Sequence, residues 1–218
     1  MASAENIKVL LRVRPPTDGE QQGGVYRKAV EVDVASNSVN YEGHKTFAFD
    51  HCSDEATAQE EIFDTIGKPM TEACLDGYNA TIFAYGQTGS GKTYTMEGSS
   101  DSVSSAGLIP RVFSHLFERI EQEQSKKVKV SCMYLEIYNE QLTDLLNPSA
   151  GGLTLREDGR KEVQIEGATE MEVGSAAETY DILHQGTQSR HVAATNMNKE
   201  SSRSHSVFIL KLQTEETR

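Results

Sequence analysis

The chemistry in this sequence is concentrated in one glycine-rich stretch of eight residues. The stretch reads Gly86, Gln87, Thr88, Gly89, Ser90, Gly91, Lys92 and Thr93, which fits the phosphate-binding P-loop pattern G-x-x-x-x-G-K-[ST]. Triphosphate oxygens need many donors in a small concave space, and only a backbone with little side-chain bulk wraps that closely. Lys92 would supply a mobile charge for the β- and γ-phosphates, and the Thr93 hydroxyl could bind Mg²⁺.

The residues on either side of this loop supply the context that the pattern requires. Residues Ala80–Tyr85 form a short apolar, β-branched and aromatic run that predicts a buried strand. The residues from about Gly91 onward predict a helix whose free N–H groups point at the phosphates. The alternative is an ordinary glycine-rich turn followed by a lysine, and the strand–loop–helix context favours the P-loop.

Length, charge and cysteine content limit the class of protein. A chain of 218 residues suits one domain or one large fragment of a domain. No apolar run approaches the roughly 20 residues of a membrane helix. The net charge of −12 argues against general nucleic-acid binding, which depends on clustered lysine and arginine. The three cysteines show neither a disulfide framework nor zinc spacing, which predicts reduced intracellular thiols.

Strand and helix patterns alternate along the chain without an internal repeat. Predicted strands include Ile7–Arg14, Thr46–Asp50, Ala80–Tyr85, Val128–Tyr138 and Ser204–Thr214, with a hairpin over Leu153–Glu170. Thr57 with Glu60, and Ser175 with Glu178, form capping-box patterns that predict two helix starts. Gln141–Leu146 predicts a helical turn. The alternation predicts an α/β fold with a mainly parallel central sheet, flanked by helices and antiparallel hairpins.

A second polar cluster precedes the last predicted strand. Residues Asn196–His205 are dense in small hydroxyls and amides and include Arg203. Taken alone, the cluster is typical of a polar surface loop with helix-cap chemistry. Beside a P-loop it suggests more, because phosphoryl transfer needs groups that sense the γ-phosphate, place a water and hold Mg²⁺.

Five segments, in order, resemble the kinesin motor domain. They are Arg12–Pro15, Gly77–Gly86, the P-loop with Tyr94–Gly98, Leu135–Glu140, and Asn198–His205, which resembles switch I. Together they cover the chain from about Ile7 to its end. The resemblance implies a P-loop NTPase fold of the kinesin type, with residues 1–218 forming the N-terminal, incomplete portion of one motor domain. A motor that begins near the N-terminus resembles the N-terminal, plus-end-directed kinesins.

The resemblance also assigns roles around the nucleotide. Arg12, Arg14 and Pro15 would border the adenine, and Tyr94 would stack on it. Without the resemblance, the two arginines are more simply solvent-facing charges on an edge strand. The P-loop would hold the phosphates of ATP.

In the segment that resembles switch I, Asn198 and Ser201 would sense the γ-phosphate and orient the attacking water. Ser202 would hold Mg²⁺ together with the P-loop threonine, and Arg203 would form the ion pair that closes the site. His205 is expected to pack in the strand rather than to catalyse, since a lone histidine is usually structural.

By the same resemblance the chain ends before switch II, the segment that partners Mg²⁺ and pairs with the switch I arginine. Three expectations follow. Hydrolysis by this chain should be slow or absent. The P-loop strand should expose unpaired backbone edges. Microtubule binding should be weak, because tubulin is acidic and the candidate contact is the modest basic loop of Arg156, Arg160 and Lys161, which could equally be a solvated hairpin tip.

The function that the resemblance implies is an ATP-dependent microtubule motor. It would be a microtubule-stimulated ATPase with ATP and Mg²⁺ as cofactors, located in the cytoplasm on the microtubule cytoskeleton. Neither nucleic acid nor membrane insertion is expected. Dimerisation would depend on segments outside this sequence, which has no coiled-coil heptads. The alternative is a truncated nucleotide-binding module that binds ATP without moving.

Overall fold

The computed structural model describes residues 7–22, 27–99, 102–123, 126–157, 159, 163–197 and 204–216. The chain divides into two compact units, Met1–Ile66 with Phe83–Leu108, and Gly67–Ile82 with Ile109–Arg218. Among the described residues, no helix is both long enough and apolar enough to cross a membrane.

The described elements alternate between strands and helices along much of the chain, as predicted for an α/β protein. The strands are β1 Leu10–Arg12, β2 Val30–Asp33, β3 Ser38–Tyr41, β4 Lys45–Ala48, β5 His51–Ser53, β6 Lys126–Tyr138, β7 Gln141–Asp144, β8 Thr154–Glu157, β9 Val163–Glu166, β10 Met171–Val173 and β11 His205–Glu216. The helices are α1 Asp18–Gln22, α2 Gln59–Ile62, α3 Lys68–Leu75, α4 Lys92–Met96, α5 Leu108–Gln122 and α6 Ala176–Met197. A π-helical turn covers Phe63–Gly67 and a 3₁₀ turn covers Val103–Ser105.

The first unit contains a short parallel pair and a three-stranded meander. Strands β1 and β5 pair in parallel, with Arg12 opposite Ser53. Strands β2, β3 and β4 pair antiparallel in that order. Because β1 ends at Arg12 and α2 follows soon after β5, both elements deliver polar side chains to the neighbourhood of α4, the helix after the P-loop.

The predicted start of α2 is one to two residues too early. The helix begins at Gln59 after the N-cap Ala58, whose N–H donates to Glu61 Oε1 at 3.1 Å. Thr57 does not cap it, because its hydroxyl accepts from the Asp54 N–H at 3.1 Å and donates to Asp54 Oδ1 at 2.9 Å. A local turn around an aspartate therefore competes with the capping box for the threonine hydroxyl.

The second unit is built on a long antiparallel pair. Strand β11 runs beside β6 from His205, opposite Ile137, to Glu216, opposite Lys126. Strand β10 pairs with the other edge of β6, and β7 folds back on the end of β6. Helices α5 and α6 supply apolar side chains to the core on this sheet. The buried core residues are Phe113, Leu116, Phe117, Val130, Cys132, Tyr134, Leu145, Val173 and Leu183.

The sheet pairings differ from the expected mainly parallel arrangement. In the described part of the chain, β1–β5 is the parallel pair and the other pairings are antiparallel. The predicted helical turn at Gln141–Leu146 is wrong. Asn139 and Glu140 have φ of 49° and 61°, which is the conformation of a two-residue hairpin turn, and β7 therefore returns along β6.

The predicted strand before the P-loop is not paired with another described strand. Along Asn79–Gly86 the side chains alternate strictly between exposed and half-buried, which is the two-residue period of an extended chain. Phe83 and Tyr85 are 73% and 95% exposed. The prediction of a buried strand at Ala80–Tyr85 is therefore wrong: the segment is extended, but it pairs with no strand among the described residues.

The predicted cap of α6 is confirmed. Glu178 N–H donates to Ser175 Oγ at 3.2 Å, and Glu178 Oε2 accepts from the Gly174 N–H at 2.7 Å. Further along this helix Gly186 is buried against the ring of Tyr134, which is only 3% exposed. A Cβ on Gly186 would overlap the ring and lie 2.9 Å from Tyr134 Cε1.

We expect Gly186→Ala to destabilise the protein, although alanine is the better helix former. Helix propensity favours alanine by about 1 kcal/mol, whereas forcing extra volume into a packed core costs about 1–3 kcal/mol. The Tyr134 ring cannot move freely because it packs edge-on against Phe208 at 5.3 Å. We therefore expect a net loss of up to about 2 kcal/mol in the free energy of unfolding, measured in urea. Gly152→Ala is the control, since nothing lies within 4 Å of its Cβ; a gain in stability for Gly186→Ala would contradict this packing.

Candidate functional site

The P-loop in the first unit closes tightly onto the start of α4. Gly91 is the residue before the helix and has φ of 93°, a left-handed conformation that L side chains rarely adopt. A Cβ on Gly86 would lie 2.5 Å from Ser90 Oγ, so a side chain at this position would require Ser90 to shift. The two glycines thus allow the chain to turn sharply and enter the helix at Lys92.

Two cationic side chains donate hydrogen bonds to carbonyl groups of the loop. Lys92 Nζ donates to the carbonyl oxygens of Gly86 and Gln87 at 2.8 and 2.9 Å. Arg14 Nε donates to the carbonyl oxygen of Gly89 at 2.8 Å. The cluster concentrates positive charge beside a run of small residues, which is the electrostatic setting that phosphate groups require.

Arg14 is held in place by Glu20. Its Nη1 and Nη2 donate to the two carboxylate oxygens at 2.9 and 2.7 Å, a bidentate pair. Glu20 also accepts from the Thr17 N–H at 2.7 Å. The hydrogen bond from Arg14 and then the one from the Thr17 backbone lower the pKa of Glu20 to about 2.

The Glu20 carboxylate should therefore stay ionised far below its ordinary range. Because the pKa of the folded state lies below that of the unfolded state, the stabilisation is present above about pH 4.3 and is lost as the pH falls towards 2. We expect the ¹³C carboxyl signal of Glu20 to titrate near pH 2. Arg14→Gln should move this titration upward. An unchanged titration in Arg14→Gln would contradict the assigned cause.

Arg12 is the last residue of β1 and contacts helix α4. Its Nη1 donates to Gln59 Oε1 at 2.8 Å and to Thr95 Oγ1 at 3.0 Å. Its guanidinium carbon is 5.4 Å from the centroid of the Tyr94 ring, within cation–π distance. Burial lowers the pKa of Arg12, and the Tyr94 hydroxyl opposes this shift. Arg12 is thus a half-buried, oriented cation rather than a solvent-facing charge.

The structure brings the predicted arginines, the P-loop and Tyr94 together within one unit. Pro15 is exposed, and its carbonyl oxygen accepts from Arg14 Nη1 at 2.9 Å. The Thr93 side chain is exposed, and none of the described residues hydrogen-bonds to its hydroxyl.

Sequence reasoning missed Gln59 and Glu20, which orient the two arginines. A signal for Glu20 exists, since Thr17-x-x-Glu20 fits a capping box and the two residues exchange hydrogen bonds. No local pattern marks Gln59, because its partners are distant in sequence.

The predicted switch I residues Asn198, Ser201, Ser202 and Arg203 lie outside the described residues, as do Arg160 and Lys161 of the basic loop. His205 is the first residue of β11 and pairs with Ile137. Its side chain is exposed on the strand.

In the second unit a buried charged cluster lies where α6, β6 and β11 meet; we call Arg190, Glu136 and Ser204 the Arg190 cluster. Arg190 Nε donates to Glu136 Oε1 at 3.2 Å, and the two side chains are 18% and 6% exposed. Ser204 Oγ accepts from Arg190 Nη2 at 2.9 Å and donates to Glu136 Oε1 at 2.7 Å. Arg190 also donates to the Ser206 hydroxyl at 3.1 Å. The cluster ties the last part of α6 to the start of β11.

The residues around the P-loop fit a Mg²⁺–nucleoside triphosphate. The loop has glycine at three of its eight positions, carries the Lys92 ammonium group beside its carbonyl groups, and ends at the exposed residue Thr93. Among the described residues no group of three or more histidine, cysteine or acidic side chains could hold a metal ion. A hydroxyl from Thr93 together with phosphate oxygens is the donor set that this loop offers to Mg²⁺.

This loop, set in an α/β fold with flanking helices, defines the class of the protein as a P-loop NTPase fold. The sequence profile of the kinesin motor domain matches residues 12–218. The chain therefore belongs to the kinesin motor family, which is a family of microtubule motors that bind nucleotide with Mg²⁺.

Individual relatives agree with the family. Kinesin-like protein KIN-12F of Oryza sativa subsp. japonica is 47% identical over 216 residues, which cover 93% of this chain and 8% of that protein. Kinesin-like protein KIF15 of Homo sapiens is 44% identical over 222 residues, covering 96% of this chain and 16% of that protein. A solved structure of a fast kinesin, described for its ATPase mechanism and its interactions with microtubules, matches with a TM-score of 0.92 at 38% identity. The match covers 99% of this chain and 62% of the solved chain, so this chain spans under two thirds of each of these three.

Proposed function

We propose that this chain is the N-terminal, ATP-binding portion of a motor domain that hydrolyses ATP and couples hydrolysis to movement along microtubules. The observation that carries the proposal is the P-loop itself, with Lys92 Nζ on the Gly86 and Gln87 carbonyls and the Arg12–Tyr94 pair in the same unit. Membership of the kinesin motor family supports it.

We assign the phosphates and the base of the nucleotide to two different sets of residues. The P-loop Gly86–Thr93 would bind the phosphates through backbone N–H groups, and Lys92 would turn from the loop carbonyls to the β- and γ-phosphate oxygens. Tyr94 would stack on the adenine, since the residue is 44% exposed while Arg12 lies within cation–π distance of its ring. Arg14, held by Glu20, and Pro15 would border the base on the loop side.

The catalytic part of the proposal concerns the residues after α6. Bound ATP with Mg²⁺ would supply the phosphoryl group that is transferred to water. Thr93 and Ser202 would hold the metal ion, Asn198 and Ser201 would orient the attacking water, and Arg203 would close the site through an ion pair. The support for these four switch I assignments is the match of the family profile through residue 218.

The partner that we propose is the microtubule, which places the protein on the cytoplasmic microtubule cytoskeleton. Membership of a family whose members interact with microtubules supports this proposal.

The test is ATP turnover by the 218-residue chain, with and without microtubules, beside Lys92→Ala. Turnover that microtubules accelerate and that Lys92→Ala abolishes would support the motor. ATP binding without turnover would identify this chain as a nucleotide-binding module whose catalysis needs further residues. Co-sedimentation at low salt measures binding to microtubules independently of ATP turnover. Absence of both ATP binding and microtubule binding would overturn the proposal.

A further inference from the structure

Gln59 is a buried polar side chain that no motif predicts. It is 4% exposed and is the first residue of α2. Its Oε1 accepts from Arg12 Nη1 at 2.8 Å, and its Nε2 donates to the Tyr94 carbonyl oxygen at 2.7 Å and to the Ser105 carbonyl oxygen at 3.4 Å. Burying an amide is unfavourable unless both of its ends are satisfied, and here both are.

The partners determine which way the amide points. An arginine guanidinium only donates and a backbone carbonyl only accepts, so the Gln59 oxygen must face Arg12 and its nitrogen must face Tyr94. A glutamate would keep the acceptor for the guanidinium but would place a carboxylate against the carbonyl. A leucine would lose both bonds. Glutamine is thus the side chain whose chemistry fits both neighbours.

The Tyr94 carbonyl oxygen belongs to the last turn of a short helix, where carbonyl groups lack partners within the helix. The N–H that would ordinarily reach it, four residues on at Gly98, donates instead to the Thr93 carbonyl oxygen at 3.3 Å. Gln59 supplies the missing donor. One side chain therefore satisfies the backbone of Tyr94 and orients the cation that lies 5.4 Å from its ring centroid.

We propose that Gln59 is a positioning residue for base recognition: it sets Arg12 against the Tyr94 ring and so prepares the face on which the adenine stacks. The proposal rests on the proposed function, which assigns Arg12 and Tyr94 to the base and the P-loop to the phosphates. Gln59 bonds to Arg12 and to Tyr94, whereas the loop carbonyls are bonded by Lys92 and Arg14. Loss of Gln59 should therefore weaken contacts to the base and leave contacts to the phosphates largely intact.

The experiment compares two ligands that share the phosphates and differ in the base. Binding of Mg²⁺–ATP and of Mg²⁺–tripolyphosphate is measured by calorimetry for the wild type, Gln59→Leu and Gln59→Glu. For Gln59→Leu we expect ATP to bind about tenfold more weakly, with tripolyphosphate affinity changed by less than about twofold. Gln59→Glu keeps the acceptor for Arg12 and should retain most of the preference for ATP.

Gln122→Leu is the matched control, because Gln122 also accepts from an arginine, Arg119 Nη1 at 3.2 Å, in the other unit. It should change neither affinity. A double-mutant cycle that combines Gln59→Leu with Arg12→Ala tests whether Gln59 affects ATP binding through Arg12. If Gln59 acts through Arg12, Gln59→Leu should have little further effect on ATP affinity once Arg12 is alanine.

Provided that the wild type binds both ligands, the following results would overturn the inference. Equal losses for ATP and tripolyphosphate would mean that Gln59 supports the P-loop helix as a whole. Additive effects of the two substitutions would separate Gln59 from Arg12. If Gln59→Leu fails to fold, the same two affinities are compared in Gln59→Glu. An equal loss of affinity for ATP and for tripolyphosphate in that variant would reject the assignment. A wild type that binds neither ligand would instead overturn the proposed function itself.

Discussion

Replacing Lys92 with alanine should weaken ATP binding at least about 30-fold, because removal of one partner of a close charge pair costs about 2–5 kcal/mol. The ammonium group lies on the Gly86 and Gln87 carbonyl oxygens and is half-buried, so it is already close to the loop that would hold the phosphates. Titration with a fluorescent ATP analogue measures the loss, and turnover should fall with it.

Lys45→Ala is the matched control for this charge. Lys45 is an exposed lysine on β4 in the same unit, and removing it changes the net charge equally. We expect its ATP affinity to stay within about twofold of the wild type, because a distant exposed charge is screened by salt. Thermal unfolding of both variants separates a lost contact from a lost fold. Equal ATP affinity for Lys92→Ala and Lys45→Ala would show that the loop does not bind phosphate.

The second large effect should come from the Arg190 cluster. Arg190→Ala leaves Glu136, whose side chain is 6% exposed, with only the Ser204 hydroxyl as a described partner for Oε1. Breaking a buried ion pair from one side costs about 3–5 kcal/mol, because the remaining charge stays buried and uncompensated. Chemical unfolding in urea measures this loss of stability.

The pair Arg156–Glu166 in the same unit is the comparison for this prediction. Its atoms lie at 2.9 Å, close to the geometry of the Arg190 pair, but its side chains are 67% and 51% exposed. Arg156→Ala should therefore cost at most about 1 kcal/mol. If Arg190→Ala proves no more harmful than Arg156→Ala, burial is not what makes the cluster strong.

Local sequence predicted those features whose causes are local. The P-loop pattern located the loop, and α4 begins at Lys92, next to the residue where the helix was expected. Ser175 and Glu178 predicted the start of α6 because a helix cap is made within a few residues. For Ala80–Tyr85 the local pattern predicted the extended backbone correctly but not the burial, since Phe83 and Tyr85 are exposed.

Two local predictions are wrong at places where two local hydrogen-bonding patterns compete. Thr57 fits a capping box, yet its hydroxyl bonds to Asp54 and the helix begins later. Gln141–Leu146 was predicted as a helical turn, yet Asn139 and Glu140 form the hairpin turn that makes it a strand. In both places a second local interaction, the turn at Asp54 or the hairpin turn at Asn139 and Glu140, prevailed over the predicted one.

The sequence by itself determined the family, the phosphate-binding loop and the net charge, because motif chemistry and composition do not depend on distant contacts. Only the tertiary structure decided the partners of Arg12 and Arg14. Gln59 lies 47 residues from Arg12, and Gly89 lies 75 residues from Arg14, so no local pattern joins them. An arginine on a short strand is either a solvated charge or an oriented cation, and the difference is whether distant acceptors come within about 3 Å of it.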